Sequence, residues 1–250
     1  MTDGRPTVFV TGGGSGIGMG LAAAFHAQGA TVVIAGRTRA KLDAVAARHP
    51  GMEVEVLDVT DAAAVTECAR RIGDRHPGLD TAVNNAGVQN LIDFAAGPTV
   101  AADAIGHEID VNLKGLIVVT AAFLPLLRAR PSARLTHIGS GLGFVPLAAA
   151  PVYSATKTAV HSFTVSLRHQ LRGGTVQVVE IIPPVVETDL HAAQARRPPR
   201  AMSLAAFTTA AVAGIAAGRD EISVGLARVL RVGARTSPKL FLGIVNKDRT

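Results

Sequence analysis

Apolar runs alternate along this chain with helical patterns, and that alternation leaves little choice of fold. The runs span 7–11, 31–35, 53–57, 80–84, 134–139, 175–182 and 222–224, and helical periodicity occupies about 16–28, 38–48, 61–75, 101–129, 152–172 and 203–217. Strands that read as nearly continuous Val, Ile and Leu are buried on both faces, as in a parallel sheet covered by helices. The pattern predicts an α/β chain built on one doubly wound parallel sheet of about seven strands. At 250 residues it has the length for one such domain, and no internal repeat or long linker divides it.

Composition narrows the class further. Hydrophobic residues make up 48% and charged residues 18%, which excludes a disordered chain. The one cysteine, Cys68, excludes an intrachain disulfide and suits a reducing, cytoplasmic setting. The first residues lack the charged start and apolar run of a signal peptide, so none is expected. The longest strongly apolar run, 116–127, falls short of the roughly 20 residues that a bilayer requires, so no transmembrane segment is expected. Residues 203–218 are more weakly apolar and read as a buried helix. The net charge of +6 would suit an acidic partner, but the arginines are scattered and the chain has one tyrosine and no tryptophan to stack bases. A solvated basic surface is the expectation, with no nucleic-acid partner; salt-sensitive DNA binding without nucleotide binding would reverse it.

The irregular segments 84–100, 139–151 and 183–203 follow strands, and ligands of such sheets bind beyond the carboxyl ends of the strands. The first run leads into Thr11, Gly12, Gly13, Gly14, Ser15, Gly16, Ile17 and Gly18, and then into a helix. Glycines let the backbone approach a pyrophosphate closely, and the helix amino terminus offers free N–H groups and the positive end of its dipole. A strand before and a helix after are the context that such a dinucleotide-binding turn requires. The second run ends in Ala35, Gly36, Arg37, Thr38 and Arg39. An acidic residue there would bind the ribose hydroxyl of NAD; two guanidinium groups instead favour the additional phosphate of NADP(H), with NAD(H) as the alternative. Read without a ligand, Arg37 and Arg39 are surface charges at a helix start.

The spacing Gly12, Gly16, Gly18 resembles the glycine fingerprint of the short-chain dehydrogenase/reductase family, and the resemblance runs from about residue 7 to 225. It implies a single-domain Rossmann fold over 1–250. It also implies cofactor contacts from Gly12, Gly14, Ser15, Gly16, Ile17 and Gly18, from Asp58 and Val59 after the third strand, and from Asn85, Ala86 and Gly87 in the motif Asn84 to Gly87. The family's catalytic set falls on Asn112, Ser140, Tyr153 and Lys157, with Ser140 thirteen positions before Tyr153. Metal is not expected.

The residue types suit the chemistry. Carbonyl reduction needs hydride from a nicotinamide and a proton from a positioned acid. Tyr153 and Lys157 lie four apart on one predicted helix and share a face, so the ammonium is placed to lower the pKa of the phenol. Tyr153 is the sole tyrosine, and Lys157 is one of five lysines against twenty arginines. Ser140 is placed to donate to the substrate oxygen as charge develops there. In the family Lys157 also holds the nicotinamide ribose, and Asn112 extends the proton path; a kink or capping role is the structural alternative for Asn112.

Two departures stand out. Pro183 and Pro184 follow the sixth strand where many relatives carry Pro-Gly, which stiffens the loop that brings Pro183, Val186 and Thr188 to the cofactor. Gly139 replaces a frequent serine beside Ser140. The double proline, the run from Ser140 to Tyr153 and Gly218 to Ile222 are similar to the branch of DltE-like oxidoreductases. His137 reads as a packed core histidine. Residues 190–203 are expected to cover the substrate as a lid, with Arg196, Arg197 and Arg200 offered to an anion or left as plain loop charges. Phe144, Val145 and Leu147 would give apolar walls for a lipophilic carbonyl or alcohol. The tail 226–250 alternates basic and apolar residues and is expected to pack on the domain or on another subunit; docking on a membrane surface is the alternative. A homo-oligomer, dimer or tetramer, is expected. The leading reading is an NADP(H)-dependent oxidoreductase interconverting a carbonyl and a secondary alcohol; the alternative is a catalytically idle NAD(P)-binding sensor or scaffold.

Overall fold

The computed structural model of the chain describes residues 5–95, 102–188, 190 and 201–247. Its strands are β1 (Thr7–Thr11), β2 (Thr31–Gly36), β3 (Glu53–Val56), β4 (Leu79–Asn84), β5 (Ala133–Ile138), β6 (Val176–Ile182) and β7 (Glu221–Ser223). Among the described residues they form one seven-stranded sheet in the order β3-β2-β1-β4-β5-β6-β7. Every neighbouring pair is parallel, as the continuous apolar runs predict. The order reverses between β1 and β4, which opens a crevice beyond Thr11 and Asn84.

Alternate residues of each strand feed opposite cores. Val8 and Val10 of β1 face α1 (Gly16–Ala27), α2 (Arg39–Ala46) and α7 (Leu204–Ala216), where Leu21, Phe25, Leu42, Phe207 and Ile215 are buried. Phe9 faces α3 (Ala62–Arg75), α5 (Leu116–Arg128) and α6 (Pro151–Gln170), and stacks on Phe123 with ring centroids 4.3 Å apart. Both rings are fully buried, and truncating one would cost roughly 3–5 kcal/mol. The helix starts are written locally: Asp61 caps α3 by accepting from Ala64 N, Ser203 caps α7 by accepting from Ala206 N, and Pro151 sits in the first turn of α6.

The pattern at 101–129 is not one regular helix. It comprises α4 (Ala102–Ile109), a π-helical turn (Asp110–Gly115) and α5. The cause is Asn112, whose amide pairs reciprocally with the backbone of Val88: Val88 N donates to Oδ1 and Nδ2 donates to Val88 O, each at 2.8 Å. The turn accommodates the residue that this inward pull displaces. By length and composition alone Ala102–Arg128 is apolar enough to cross a membrane, but here Val119, Phe123 and Leu127 pack into the core beside the sheet.

His137 is a core residue, as expected. Its Nε2 pairs with Thr120 Oγ1 at 3.1 Å and its Nδ1 with Thr164 Oγ1 at 2.8 Å, so it ties β5 to α5 and α6. Burial, then the charges of Arg168 and Lys157, push its pKa down to about 3. A pKa depressed in the folded state gives stability that is full above the unfolded value of 6.5 and is lost as pH falls toward 3. The fold should therefore weaken across that window by up to about 1.4 kcal/mol per pH unit. Urea midpoints over that range test this, with NMR of the His137 ring; a ring that titrates near its ordinary value would refute it.

Candidate active site

The cofactor end is built from backbone. Gly12 and Gly16 adopt positive φ of 66° and 52°, so the turn after β1 depends on glycine at both positions. A Cβ on Gly18 would lie 2.4 Å from both Gly12 O and Asn85 Nδ2. Asn85 is the clasp: its Nδ2 donates to Thr11 O at 3.0 Å and Gly12 O at 3.2 Å, and the N–H groups of Asn85 and Ala86 donate to Thr11 Oγ1. Beyond this turn Gly14, Ser15, Gly36, Arg37, Thr38, Asp58, Val59, Ala86 and Gly87 enclose a recess of about 180 Å³. Asp58 is partly desolvated, which raises its pKa, but the Thr60 N–H and hydroxyl and the Arg37 charge outweigh this and hold it below the usual range.

A cleft of about 490 Å³ adjoins this recess at Gly12, Ser15 and Gly87. Ser15, Gly16 and Ile17 line one end, Ser140, Tyr153 and Lys157 the other, and Pro183, Val186 and Thr188 form a wall between them. Tyr153 is 7% exposed and hydrogen-bonded to Ser140; Lys157 Nζ lies 5.7 Å from the centre of the Tyr153 ring and donates to Ile138 O at 2.9 Å. Gly87 leaves backbone bare beside this centre, for a Cβ there would lie 3.8 Å from Lys157 Nζ. A larger groove of about 1050 Å³ opens at the opposite ends of the strands, around Pro6, Asp80 and Gly174, away from the glycine turn.

Residues 6–198, well over half of the chain, match the family described as short chain dehydrogenase. The chain belongs to that family. This short-chain dehydrogenase is 42% identical over 188 residues to the uncharacterized oxidoreductase DltE of Bacillus subtilis (strain 168), a match covering 74% of the chain and 73% of DltE. Its fold is similar to that of a short-chain dehydrogenase from Sphingobium yanoikuyae in complex with NADPH, with a TM-score of 0.80, 27% identity and coverage of 92% and 93% of the two chains. It also resembles in fold a short-chain dehydrogenase/reductase from Burkholderia phymatum in complex with NAD, with a TM-score of 0.81, 23% identity and coverage of 94% and 96%.

The electrostatics of the dehydrogenase differ from the sequence expectation. Burial pushes the Tyr153 phenol up to about 12, against the Ser140 hydrogen bond and with Glu108 adding to the rise. Burial likewise pushes Lys157 down to about 8, opposed by the charges of Glu180 and Glu108. The phenol is not lowered here, because the ammonium is turned to Ile138 O and desolvation dominates.

Several expected residues fall elsewhere. Asn112 is buried, and its side chain is clamped to the backbone of Val88 and lies within 3.2 Å of Thr156 Oγ1. Gly18 packs under the turn, and Arg39 is held by Asp43 at 2.8 Å on exposed α2, outside the recess. Lys41 takes that place: it lines both the recess and the cleft, and no described carboxylate pairs with it. Lysine is scarce in this chain, a signal that also singled out Lys157. The apolar wall is Leu142, Val185, Leu190 and Leu230, not Phe144, Val145 and Leu147, because the short helical turn Gly141–Gly143 reverses the chain and sends Phe144 against His161. Leu230 comes from the tail, which folds back as α8 (Leu226–Thr236) and α9 (Pro238–Val245) and is fixed where Asn246 Oδ1 accepts from Ala148 N at 2.7 Å. Arg196, Arg197 and Arg200 of the expected lid lie outside the described residues.

Gly139 has a local reason. A Cβ there would meet Glu180 Oε1 at 2.4 Å; Glu180 is fully buried and its other oxygen lies 2.7 Å from His161 Nδ1. Gly139→Ser should lower stability by about 1–3 kcal/mol. In a double-mutant cycle with Glu180→Ala, urea midpoints should show less-than-additive losses; strict additivity would refute the clash.

Proposed function

We propose that this dehydrogenase interconverts a carbonyl and a secondary alcohol with NADP(H), Tyr153 being the general acid and base. The observation that carries the reading is one continuous cleft with the glycine turn at one end and the buried Tyr153–Ser140 pair, beneath Lys157, at the other. The residues present fit a dinucleotide: the turn has no room for side chains at Gly12 and Gly18, and Gly14, Ser15 and Gly87 leave backbone open to the recess. The nicotinamide, when bound, supplies or accepts hydride.

The chain's own groups do the rest. Tyr153, neutral across the physiological range, gives its proton to the developing alkoxide in reduction and takes one from the alcohol in oxidation. Ser140, oriented by accepting from Leu142 N at 3.1 Å, keeps its own hydroxyl hydrogen to donate to the reacting oxygen. Lys157 contributes the positive charge that steadies the phenolate after the proton has left. Arg37 and Lys41 favour the phosphorylated cofactor; because the solved neighbours hold NADPH in one case and NAD in another, the choice rests on these two cations. Asn112 keeps the segment at Val88, which lines the cleft with Tyr153 and Lys157, in place.

Fluorescence titration with NADPH and NADH, followed by a panel of ketones and alcohols monitored by NADPH absorbance, tests the reading. NADPH should bind more tightly than NADH, and the double variant Arg37→Ala/Lys41→Ala should narrow the difference by about tenfold or more. Equal affinities, or tighter NADH binding, would refute the NADP assignment. A chain that binds the cofactor but turns over nothing would instead be a sensor or scaffold.

A further inference from the structure

Five cations and no carboxylate lie between Leu226 and Lys247, in a chain whose net charge is +6 over 250 residues. Nearly all of the excess positive charge therefore sits on α8, α9 and Lys247. The same stretch is apolar on its outside. Eleven large apolar residues are exposed among the described residues, and six of them are Leu226, Val229, Val232, Leu240, Leu242 and Ile244. A cluster of exposed aliphatic side chains marks an interaction surface, whereas single ones do not.

The tail packs on the domain by one face only. Ala227 and Gly233 are buried, and Leu230 lines the cleft. A Cβ on Gly141, next to Ser140, would lie 3.1 Å from Leu230 Cδ1. Leu226, Val229 and Val232, spaced by three, share the outer side of α8, and Arg228 and Arg235, spaced by seven, flank that stripe. On α9, Phe241 packs on Gly233 while Leu240 and Ile244, spaced by four, stay exposed. Arg231 pairs with Glu221, but among the described residues no carboxylate pairs with Arg228, Arg235 or Lys239. The far end is fixed by Asn246, which accepts from Ala148 N and donates to Pro146 O at 3.1 Å, so the outer face is held in place.

We propose that α8 and α9 form a docking surface for an anionic phospholipid bilayer, bound at its interface and not across it. Aliphatic side chains on one side of a helix enter the acyl boundary, and cations beside them meet the headgroup phosphates. A second copy of the chain is the poorer occupant, because it would set the same uncompensated cations against one another. Nucleic acid is poorer too, since a phosphate backbone gives six aliphatic side chains nothing to bury against. Docking places the wall that holds Leu230 about one helix diameter, roughly 10 Å, from the lipid. It requires neither cofactor nor turnover, and so stands apart from the carbonyl reading.

Co-sedimentation of the full chain with lipid vesicles tests it. Vesicles of equal parts phosphatidylglycerol and phosphatidylcholine should bind the chain about tenfold or more tightly than vesicles of phosphatidylcholine alone, and added salt should weaken that binding. Arg228→Gln/Arg235→Gln should lose about tenfold or more in affinity. Val229→Ser/Val232→Ser/Leu240→Ser leaves the charge unchanged and should lose about tenfold or more as well, because the aliphatic groups no longer enter the interface. All five side chains are exposed, so the urea midpoints of both variants should match wild type, which separates lost docking from lost folding. Equal binding to the two kinds of vesicle, binding to neither, or wild-type binding by either variant overturns the proposal. A dimer seen by sedimentation equilibrium without lipid, and dispersed by the apolar variant, also overturns it and assigns the face to a second copy. Duplex DNA that displaces the chain from the vesicles and binds it more tightly than they do overturns it in favour of nucleic acid.

Discussion

Tyr153→Phe should retain the fold and cofactor affinity and lose roughly 10³-fold or more in kcat. The ring is buried against the cleft wall and its packing is unchanged by removal of one oxygen, so stability should hold. What disappears is the proton source and the hydrogen bond with Ser140. The loss should fall on kcat and kcat/KM alike, with little change in NADPH affinity, because the interaction removed is made in the transition state. A variant that keeps more than about a tenth of wild-type kcat would mean that another group delivers the proton.

Lys157→Met should lower kcat about 10²-fold and abolish the alkaline limb of the pH profile. Wild-type Lys157 loses its charge near pH 8, because burial outweighs the help from Glu180 and Glu108. Its contribution to carbonyl reduction is therefore complete at lower pH and declines as pH rises through that value. Tyr153, pushed up to about 12, still holds its proton there, so the decline belongs to the lysine and not to the phenol. Profiles of kcat/KM for wild type and variant separate the two. A wild-type profile flat to high pH, or a variant that keeps the same limb, would contradict the assignment.

How much of this was legible beforehand varies with the distance over which each feature is determined. The strands were, because burial on both faces leaves an uninterrupted apolar signature in residues such as Val32, Val33 and Ile34. The glycine turn and the Tyr153–Lys157 pair were, because their spacing is itself the geometry. The π-helical turn was not: it depends on Asn112 meeting the backbone of Val88, twenty-four positions earlier. Lys41 and Arg39 look alike in sequence as early charges on α2, and only the direction of that helix against the recess separates them. Glu108 was missed because one glutamate on a helix reads as a solvated face, and the partner it meets in the interior, Asn90, lies eighteen positions earlier. The tail 226–250 read as alternating charge and apolarity, yet 226–236 and 238–245 form two helices, with Phe241 packed on Gly233 and Leu230 closing over the cleft.

The most direct test of the account is a crystal structure of the chain grown with NADP⁺. The account requires the pyrophosphate on the turn at Gly14 to Gly18, the additional phosphate between Arg37 and Lys41, and the nicotinamide facing Tyr153 and Ser140. Cofactor density in the opposite groove near Asp80, or a nicotinamide turned away from the Tyr153 hydroxyl, would contradict it.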